Sequence, residues 1–343
     1  MDNFDQNNTP GSGNNLNPQG NIPPTPLKVI YNIDGVEVEP KISPLKAGLL
    51  GLAGGLFFYQ IIGGLISVLI LGLNPVEANV NAVRLMNVAG QILFILLPAL
   101  IFSKIIYEKV GIIIRFRLAP LKEIALFSLG MLCLIPLLQN YLYIQNYFID
   151  ILAEWSGFIR YFKEAFDTMN NMMEKTFADL LKAYNVFDYV IIFISISIVP
   201  AICEELMFRG FIQKSFELRF RPLLAILITS VFFGLYHFSP YALIPLILLG
   251  FFIGYSAYKT NSILVPVILH FLNNFLSVIM YYIFGSDSEL IGTKVTAMEF
   301  KSALVSFSYQ FILFAVVLGY IIYYYRKVKP KNIENDSYTT LSE

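Results

Sequence analysis

Residues 187–212 read FDYVIIFISISIVPAICEELMFRGFI, an apolar segment that holds two adjacent glutamates and an arginine. A helix that spans a bilayer needs about 20 mostly apolar residues, and this segment is long enough. On insertion scales a charge at the centre of such a helix costs roughly 2.5–3.5 kcal/mol, so ionisable groups inside a membrane indicate function. The segment therefore predicts a membrane helix that carries part of a functional site.

The composition of the whole chain is that of a membrane protein. Of its 343 residues, 56% are hydrophobic and only 14% are charged, whereas soluble domains carry about 25% charged residues. Membrane lipid must therefore cover most of the surface. The formal net charge is zero, with 24 basic and 24 acidic residues, which gives no indication of a nucleic-acid partner.

Apolar runs of spanning length recur along the chain and predict an all-α bundle of about eight transmembrane helices. The predicted spans lie near residues 47–73, 86–107, 121–144, 187–212, 223–238, 241–258, 262–284 and 302–325. Residues 150–186 mix aromatic and charged side chains, which is typical of an amphipathic helix at the membrane surface. The alternation of apolar residues within Val29–Val38, around Asp34 and Gly35, indicates a small β-hairpin.

The predicted spans divide the chain into three parts. Residues 1–43 are expected to form a largely disordered cytoplasmic tail, residues 44–326 the helix bundle, and residues 327–343 a second cytoplasmic tail. The basic residues of one side are Lys109, Arg115, Arg117, Lys122, Lys214, Arg219, Arg221, Arg326, Lys327, Lys329 and Lys331. Because basic loops stay in the cytoplasm, both termini of this integral multi-pass protein are predicted to be cytoplasmic.

Polar side chains that lipid should exclude occur in three of the predicted spans. They are Glu204, Glu205 and Arg209 in the fourth span, His237 in the fifth, and His270, Asn273 and Asn274 in the seventh. If the fourth helix leaves the membrane near residue 212, Glu204 lies about 12 Å below that surface, at 1.5 Å per residue. His270, eight residues after Ser262 in the seventh span, lies at about 12 Å by the same count. These depths allow the side chains to meet inside the membrane.

Helical geometry assigns a first set of roles. Glu205 and Arg209 are four residues apart with the acid first, the favourable order for a supporting ion pair. Glu204 is rotated by about 100° from Glu205 and is left unpaired by that bridge. An unpaired carboxylate in a partly dry site suits general-base catalysis, and His237 could share the activation of a water molecule with it. Phe233, one turn before His237, is expected to pack against it without a chemical role.

A second pair of side chains could stabilise a developing oxyanion. His270 and Asn274 are one turn apart and project together, so both can donate hydrogen bonds to the same oxygen. Asn273 is the alternative donor. In the fourth span, Pro200 removes the helical hydrogen bond to the carbonyl of Ile196, which opens the backbone and could admit water.

Three motifs of the chain resemble those of the CPBP family of intramembrane proteases, which includes the type II CAAX prenyl endopeptidases. They stand here as Glu204-Glu205-x-x-x-Arg209, Phe233-x-x-x-His237 and His270-x-x-x-Asn274, in the family order and on separate helices. The resemblance implies a protease core at about residues 187–284. It also implies peptide-bond hydrolysis in which Glu204 and His237 activate water and His270 and Asn274 hold the oxyanion. The family spacing favours Asn274 over Asn273.

The expected function is therefore an intramembrane endopeptidase that acts on a membrane-associated protein or peptide, with a CAAX-like prenylated protein as one option. Zinc is possible as a cofactor, since Glu204, His237 and His270 offer the ligands of a catalytic zinc site. No His-Glu-x-x-His helix is present, and metal-free activation of water is favoured. The alternatives are a membrane scaffold, an immunity-type member of the family, and a proton-coupled transporter, which would also place such residues at mid-membrane.

Overall fold

The computed structural model describes residues 29–72, 79–284, 297–328 and 338–340. Its helices are α1 (Pro44–Leu71), α2 (Val80–Tyr107), α3 (Val110–Ile113), α4 (Leu121–Trp155), α5 (Gly157–Leu181), α6 (Val186–Glu217), α7 (Pro222–Tyr236), α8 (Leu243–Thr260), α9 (Leu264–Phe284) and α10 (Ala297–Tyr323). Within these ranges, seven helices are long and apolar enough to cross a membrane, and α7 is a shorter apolar helix. The predicted all-α membrane bundle is confirmed, with seven candidate spans and one shorter apolar helix in place of about eight full spans.

Helix α7 is shorter than a membrane span because its sequence limits it at both ends. Pro222 occupies the first turn, where its fixed φ and missing N–H cost nothing. Beyond Tyr236 the backbone turns, and Phe238 has a left-handed φ of 50°. The 15 residues of α7 measure about 22 Å, less than the ~30 Å of an apolar bilayer core. His237 therefore follows the end of a helix, whereas the sequence placed it inside a longer span.

Helix α4 extends beyond the predicted span of residues 121–144 and reaches Trp155. Ser156 then caps α5, its hydroxyl accepting a hydrogen bond from the N–H of Ile159 at 3.5 Å. Helix α5 occupies most of the segment that was predicted to be amphipathic. Large apolar side chains at this junction are exposed, among them Trp155 at 87% and Phe158 at 73%. They are of the kind that rests at a membrane interface.

The predicted hairpin is present as β1 (Val29–Ile33) and β2 (Val36–Val38), which pair antiparallel. Asp34 and Gly35 form the turn with φ values of 54° and 80°, the positive angles that tight hairpin turns require. A strand that the sequence did not predict, β3 (Tyr338–Thr340), pairs with the other edge of β1. Residues 1–28 of the predicted N-terminal tail lie outside the described residues.

Many of the basic residues that were predicted to lie on one side of the membrane are found at one end of the bundle, which is called the basic end. It holds the starts of α4, α7 and α9 and the ends of α6, α8 and α10. Arg115 donates to Glu217 at 2.6 Å and to the carbonyl of Ala257 at 3.2 Å, which ties α6 to α8. The hairpin docks here too, because Asp34 accepts from Asn261 at 2.6 Å and lies 3.2 Å from Arg117.

Two large apolar clusters fill most of the bundle, and a third, smaller one joins Leu181, Ile192 and Val278. One of the two large clusters is built mainly from α1, α2, α6 and α7, and the other from α4, α8, α9 and α10. The buried Phe233 of α7 belongs to the first cluster, and the buried Leu269 of α9 to the second. The predicted site residues are carried by α6, by α7 with the residue that follows it, and by α9. They therefore lie where the two halves of the bundle meet.

Candidate active site

The two adjacent glutamates lie in the middle of α6, in a short α-helical stretch, Val199–Glu205. π-Helical stretches precede and follow it, at Phe193–Ile198 and Leu206–Ile212. Such wide turns inside α-helices are frequent at functional sites. The side chain of Glu205 is fully buried, whereas Glu204 is partly exposed. The roughly 100° rotation between neighbouring helical residues thus separates two carboxylates into different surroundings.

Glu205 is the centre of a buried ionic network that joins three helices. Its Oε1 accepts from Nη1 of Arg209 at 2.8 Å and from Nδ1 of His270 at 2.7 Å. Nη2 of Arg209 donates to the carbonyl of Gly250 in α8 at 3.1 Å. A Cβ at position 250 would lie 3.3 Å from that nitrogen and 3.1 Å from the ring of Phe233, so the close approach favours glycine. The expected ion pair between Glu205 and Arg209 is therefore present.

The ring of Phe233 packs against this network and against His237. The guanidinium carbon of Arg209 lies 4.3 Å from the ring centroid, within the range of a cation–π contact. The ring centroids of His237 and His270 lie 4.7 Å and 5.8 Å from that of Phe233. Phe233 thus packs against both histidines and the arginine, and the expected contact with His237 is present.

Both histidines contact an acceptor of the protein through the same ring nitrogen, Nδ1. Nδ1 of His237 lies 2.8 Å from the carbonyl oxygen of Phe233, and Nδ1 of His270 lies 2.7 Å from the carboxylate of Glu205. A carbonyl or an ionised carboxylate only accepts hydrogen bonds, so Nδ1 carries the proton in each ring. In the neutral ring Nε2 is then an acceptor. His270 can therefore donate from Nε2, as the oxyanion role requires, only when its ring is doubly protonated.

Asn274 contacts the carbonyl that the sequence marked as open. Its Nδ2 donates to the carbonyl of Ile196 at 3.2 Å, the group whose partner in a regular α-helix would be the N–H of residue 200. That residue is Pro200, which has no N–H. Asn273 donates in turn to Oδ1 of Asn274 at 3.2 Å. A primary amide has two N–H groups, so Asn274 keeps a second donor beyond this contact.

Glu204 is held by residues that the sequence analysis did not single out. Gln91 of α2, itself buried, donates from Nε2 to Oε1 of Glu204 at 3.0 Å. The same nitrogen lies 3.4 Å from the hydroxyl of Tyr59 in α1, which donates to Asn87 at 2.8 Å. The available signal was a pair of amide side chains, Asn87 and Gln91, one turn apart inside the predicted second span.

An apolar cavity of about 630 Å³ lies beside His237. Its walls come from α1, from Met169 of α5, and from residues on both sides of His237. The residues that line it are Leu49, Leu52, Ala53, Leu56, Met169, Phe232, Gly234, Leu235, Tyr236, Phe238, Ser239, Pro240 and Leu243. Because the lining is almost entirely apolar, the cavity suits a hydrocarbon chain or apolar side chains rather than a polar ligand.

The proposed zinc ligands fit the metal by chemistry but not by position. Zinc sites commonly use histidines whose other ring nitrogen donates to a carbonyl or a carboxylate, as in His237 and His270. Within the described ranges, however, no group of three or more His, Cys, Asp or Glu side chains is placed to hold a metal ion. As placed in the described ranges, Glu204, His237 and His270 therefore do not form a zinc site.

Comparison with known proteins agrees with the motifs. Residues 186–276, which span α6, α7, α8 and most of α9, match the family model described as type II CAAX prenyl endopeptidase Rce1-like. The match contains every residue of the three motifs and excludes α1 and α2, which carry Tyr59 and Gln91. No curated protein and no solved structure matches the chain.

Proposed function

We propose that this chain, whose residues 186–276 form a domain of the Rce1-like type II CAAX prenyl endopeptidase family, is an intramembrane endopeptidase that uses Glu204 as its general base. The observation that carries the proposal is the division of the glutamate pair. Glu205 is buried in an ion pair, while Glu204 is partly exposed and bonded to the neutral amide of Gln91. A carboxylate that is held in place by a neutral donor keeps its negative charge available for a proton.

In the proposed reaction, Glu204 removes a proton from a water molecule whose oxygen attacks the carbonyl carbon of the scissile peptide bond. Nε2 of His237, an acceptor in the neutral ring, helps to orient that water. The carbon–nitrogen bond then breaks, and Glu204 returns the proton to the leaving amine. One water is consumed, and one carboxylic acid and one amine are formed, which become a carboxylate and an ammonium group when the remaining proton passes between them. General acid–base catalysis of this kind contributes about 10²–10⁴-fold to the rate.

Asn274 is the proposed donor to the tetrahedral oxyanion. One N–H of its amide is bound to the carbonyl of Ile196, and this contact fixes the orientation of the other. His270 adds a second donor only in its doubly protonated form, because its Nδ1 faces Glu205. In this proposal His270 acts first by linking α9 to the buried network, so that Asn274, one turn later, is held in position.

The substrate class follows from the surroundings of the site. The apolar cavity beside His237 favours a membrane-associated protein or peptide, and it could hold a prenyl chain or the apolar side chains of a membrane segment. The gathering of basic residues at one end of the bundle supports a cytoplasmic position for both termini. A reporter fused after Arg326 should then be active in the cytoplasm, and activity only outside would reverse the orientation.

The proposal is tested by profiling new protein termini in membranes that contain the wild-type chain or the Glu204→Gln variant. Glu204→Gln keeps the shape of the side chain and removes the base, so cleavage products should disappear while the protein still folds. Glu164→Gln, the same change on α5, is the matched control and should leave the products unchanged. Products that persist in the Glu204→Gln membranes would show that the base has been assigned wrongly.

A further inference from the structure

A second cavity, of about 860 Å³, is formed by α4, α7, α8 and α10, and none of the site residues above lines it. We propose that this cavity, called the lipid groove below, binds an anionic glycerophospholipid. Its volume lies within the ~300–1,000 Å³ of ligand sites in proteins. The proposal does not depend on the proposed proteolytic activity, because the groove and the catalytic residues share no side chain.

The body of the groove is apolar and has the length of an acyl chain. The apolar residues that line it include Leu134, Leu137, Leu138, Leu248, Phe251, Phe252, Phe307, Phe311, Phe314, Leu318 and Ile322. Along α8, the lining runs from Lys259 at the basic end to Leu248, about 16 Å at 1.5 Å per residue. Half of an apolar bilayer core is about 15 Å thick. An acyl chain of one leaflet therefore fits the groove lengthwise.

The mouth of the groove is cationic. Arg221, Lys259 and Arg326 line it at the basic end, and none of its described lining residues is acidic. Nζ of Lys259 lies 5.5 Å and 5.4 Å from the ring centroids of Tyr255 and Tyr258, which also line the groove or its mouth. Within the described ranges, no carboxylate forms an ion pair with Arg221 or Arg326. The groove thus joins a long apolar channel to two guanidinium groups, those of Arg221 and Arg326, that no described carboxylate neutralises.

The apolar body and the cationic mouth of the groove together indicate which class of ligand it binds. A guanidinium group matches the geometry of a phosphate through two parallel hydrogen bonds. Basic pockets between membrane helices bind the head groups of anionic lipids, and each basic residue near the surface contributes about 1 kcal/mol, or roughly a fivefold gain in affinity. A zwitterionic lipid would bring its own cation next to the two arginines. The geometry therefore favours a lipid with net negative charge.

The test uses the full-length protein in nanodiscs that contain equal amounts of dioleoylphosphatidylglycerol and dioleoylphosphatidylcholine. Native mass spectrometry then counts the lipids that stay bound after the protein is released from the nanodisc. Wild-type protein should retain phosphatidylglycerol in clear excess. The double variant Arg221→Gln/Arg326→Gln should lower that preference by roughly 25-fold, since each of the two charges contributes about fivefold.

The chain offers a matched control for each part of the groove. Arg219→Gln/Lys327→Gln removes two exposed charges close in sequence that do not line the groove, and screening should limit its effect to less than about twofold. In the apolar part, Leu318→Trp should displace the retained lipid, whereas Leu313→Trp should not, because Leu313 faces outward on the same helix.

Three outcomes would overturn the proposal. The first is equal retention of the two lipids by the wild-type protein, a result that requires no variant to fold. The second is the same loss in both double variants, which would reflect general surface charge. The third is displacement of the lipid by a farnesylated peptide, which would assign the groove to a substrate.

Discussion

The two faces of the stretch Val199–Glu205 differ in how they are built. On one face, Glu205 is fully buried and contacts Arg209 and His270, all within the matched family domain. On the other face, Glu204 is partly exposed, and its described partner, Gln91, comes from a helix outside that domain. The face of Glu205 is therefore packed like a protein interior, whereas the face of Glu204 has the features of a reactive site.

This difference gives the two neighbouring glutamates separate roles, structural for Glu205 and, in the proposed reaction, chemical for Glu204. The motif residues around Glu205 link α6 to α8 through Arg209 and to α9 through His270. The carboxylate of Glu204 instead depends on α2, and through Tyr59 on α1, for its position. We infer that the first two helices, which carry no family motif, act as a positioning element for the base. Four changes probe the comparison.

The largest effect is expected when the buried face is broken. Glu205→Gln leaves Arg209 without its anionic partner, and a stranded buried charge costs about 3–5 kcal/mol. Because whole domains are stable by only about 5–15 kcal/mol, much of the protein should fail to reach the folded state. Thermal unfolding and size-exclusion chromatography in detergent measure this loss.

The control for Glu205→Gln is Glu108→Gln, which makes the same chemical change in an exposed pair with Lys41 at 3.0 Å. Exposed pairs contribute about 0–1 kcal/mol, so this variant should unfold close to the wild-type temperature. If both variants unfold at the same temperature, the buried network does not hold the helices together.

The next effect concerns the oxyanion donor. Asn274→Ala should lower turnover by roughly 10²–10³-fold, the usual result of removing one such donor, with little change in substrate binding. It also leaves the carbonyl of Ile196 without the amide of Asn274, at a cost of about 1–3 kcal/mol in stability. Asn273→Ala should reduce turnover much less, since the side chain of Asn273 donates to Asn274 and is not the proposed oxyanion donor. Equal losses in kcat for the two variants would contradict the assignment.

A smaller effect is expected when the reactive face loses its positioning residue. Gln91→Met keeps the length of the side chain and removes the hydrogen bond to Glu204. Hydrogen bonds to charged groups contribute about 1.5–3 kcal/mol, so kcat should fall by roughly 10–100-fold while KM and the unfolding temperature change little. Asn87→Leu, one step further from Glu204, should have a weaker effect. A fall in stability that matches the fall in kcat would make Gln91 merely structural.

Sequence reasoning found the motif residues because their geometry is local. The pair Glu205–Arg209 and the packing of Phe233 against His237 both join residues that are four apart in the sequence. The contact between Glu204 and Gln91 joins residues far apart in the chain and depends on how α2 packs against α6. Apolar periodicity shows which face of a helix is buried but not which helix covers it. The same limit explains why β3 was not predicted, since its partner lies at the other end of the chain.

The smallest effect is expected from metal removal. His237 and His270 each hold Nδ1 against an acceptor and offer Nε2, as zinc-binding histidines do, so their chemistry alone would suit a metal. Among the described residues, however, no third His, Cys, Asp or Glu lies close enough to both histidines to complete a metal site. Strong chelators such as EDTA and 1,10-phenanthroline should therefore leave the rate of peptide cleavage unchanged. A loss of activity that added zinc restores would show that Glu204, His237 and His270 come together in the working enzyme, and the glutamate-only mechanism would then be wrong.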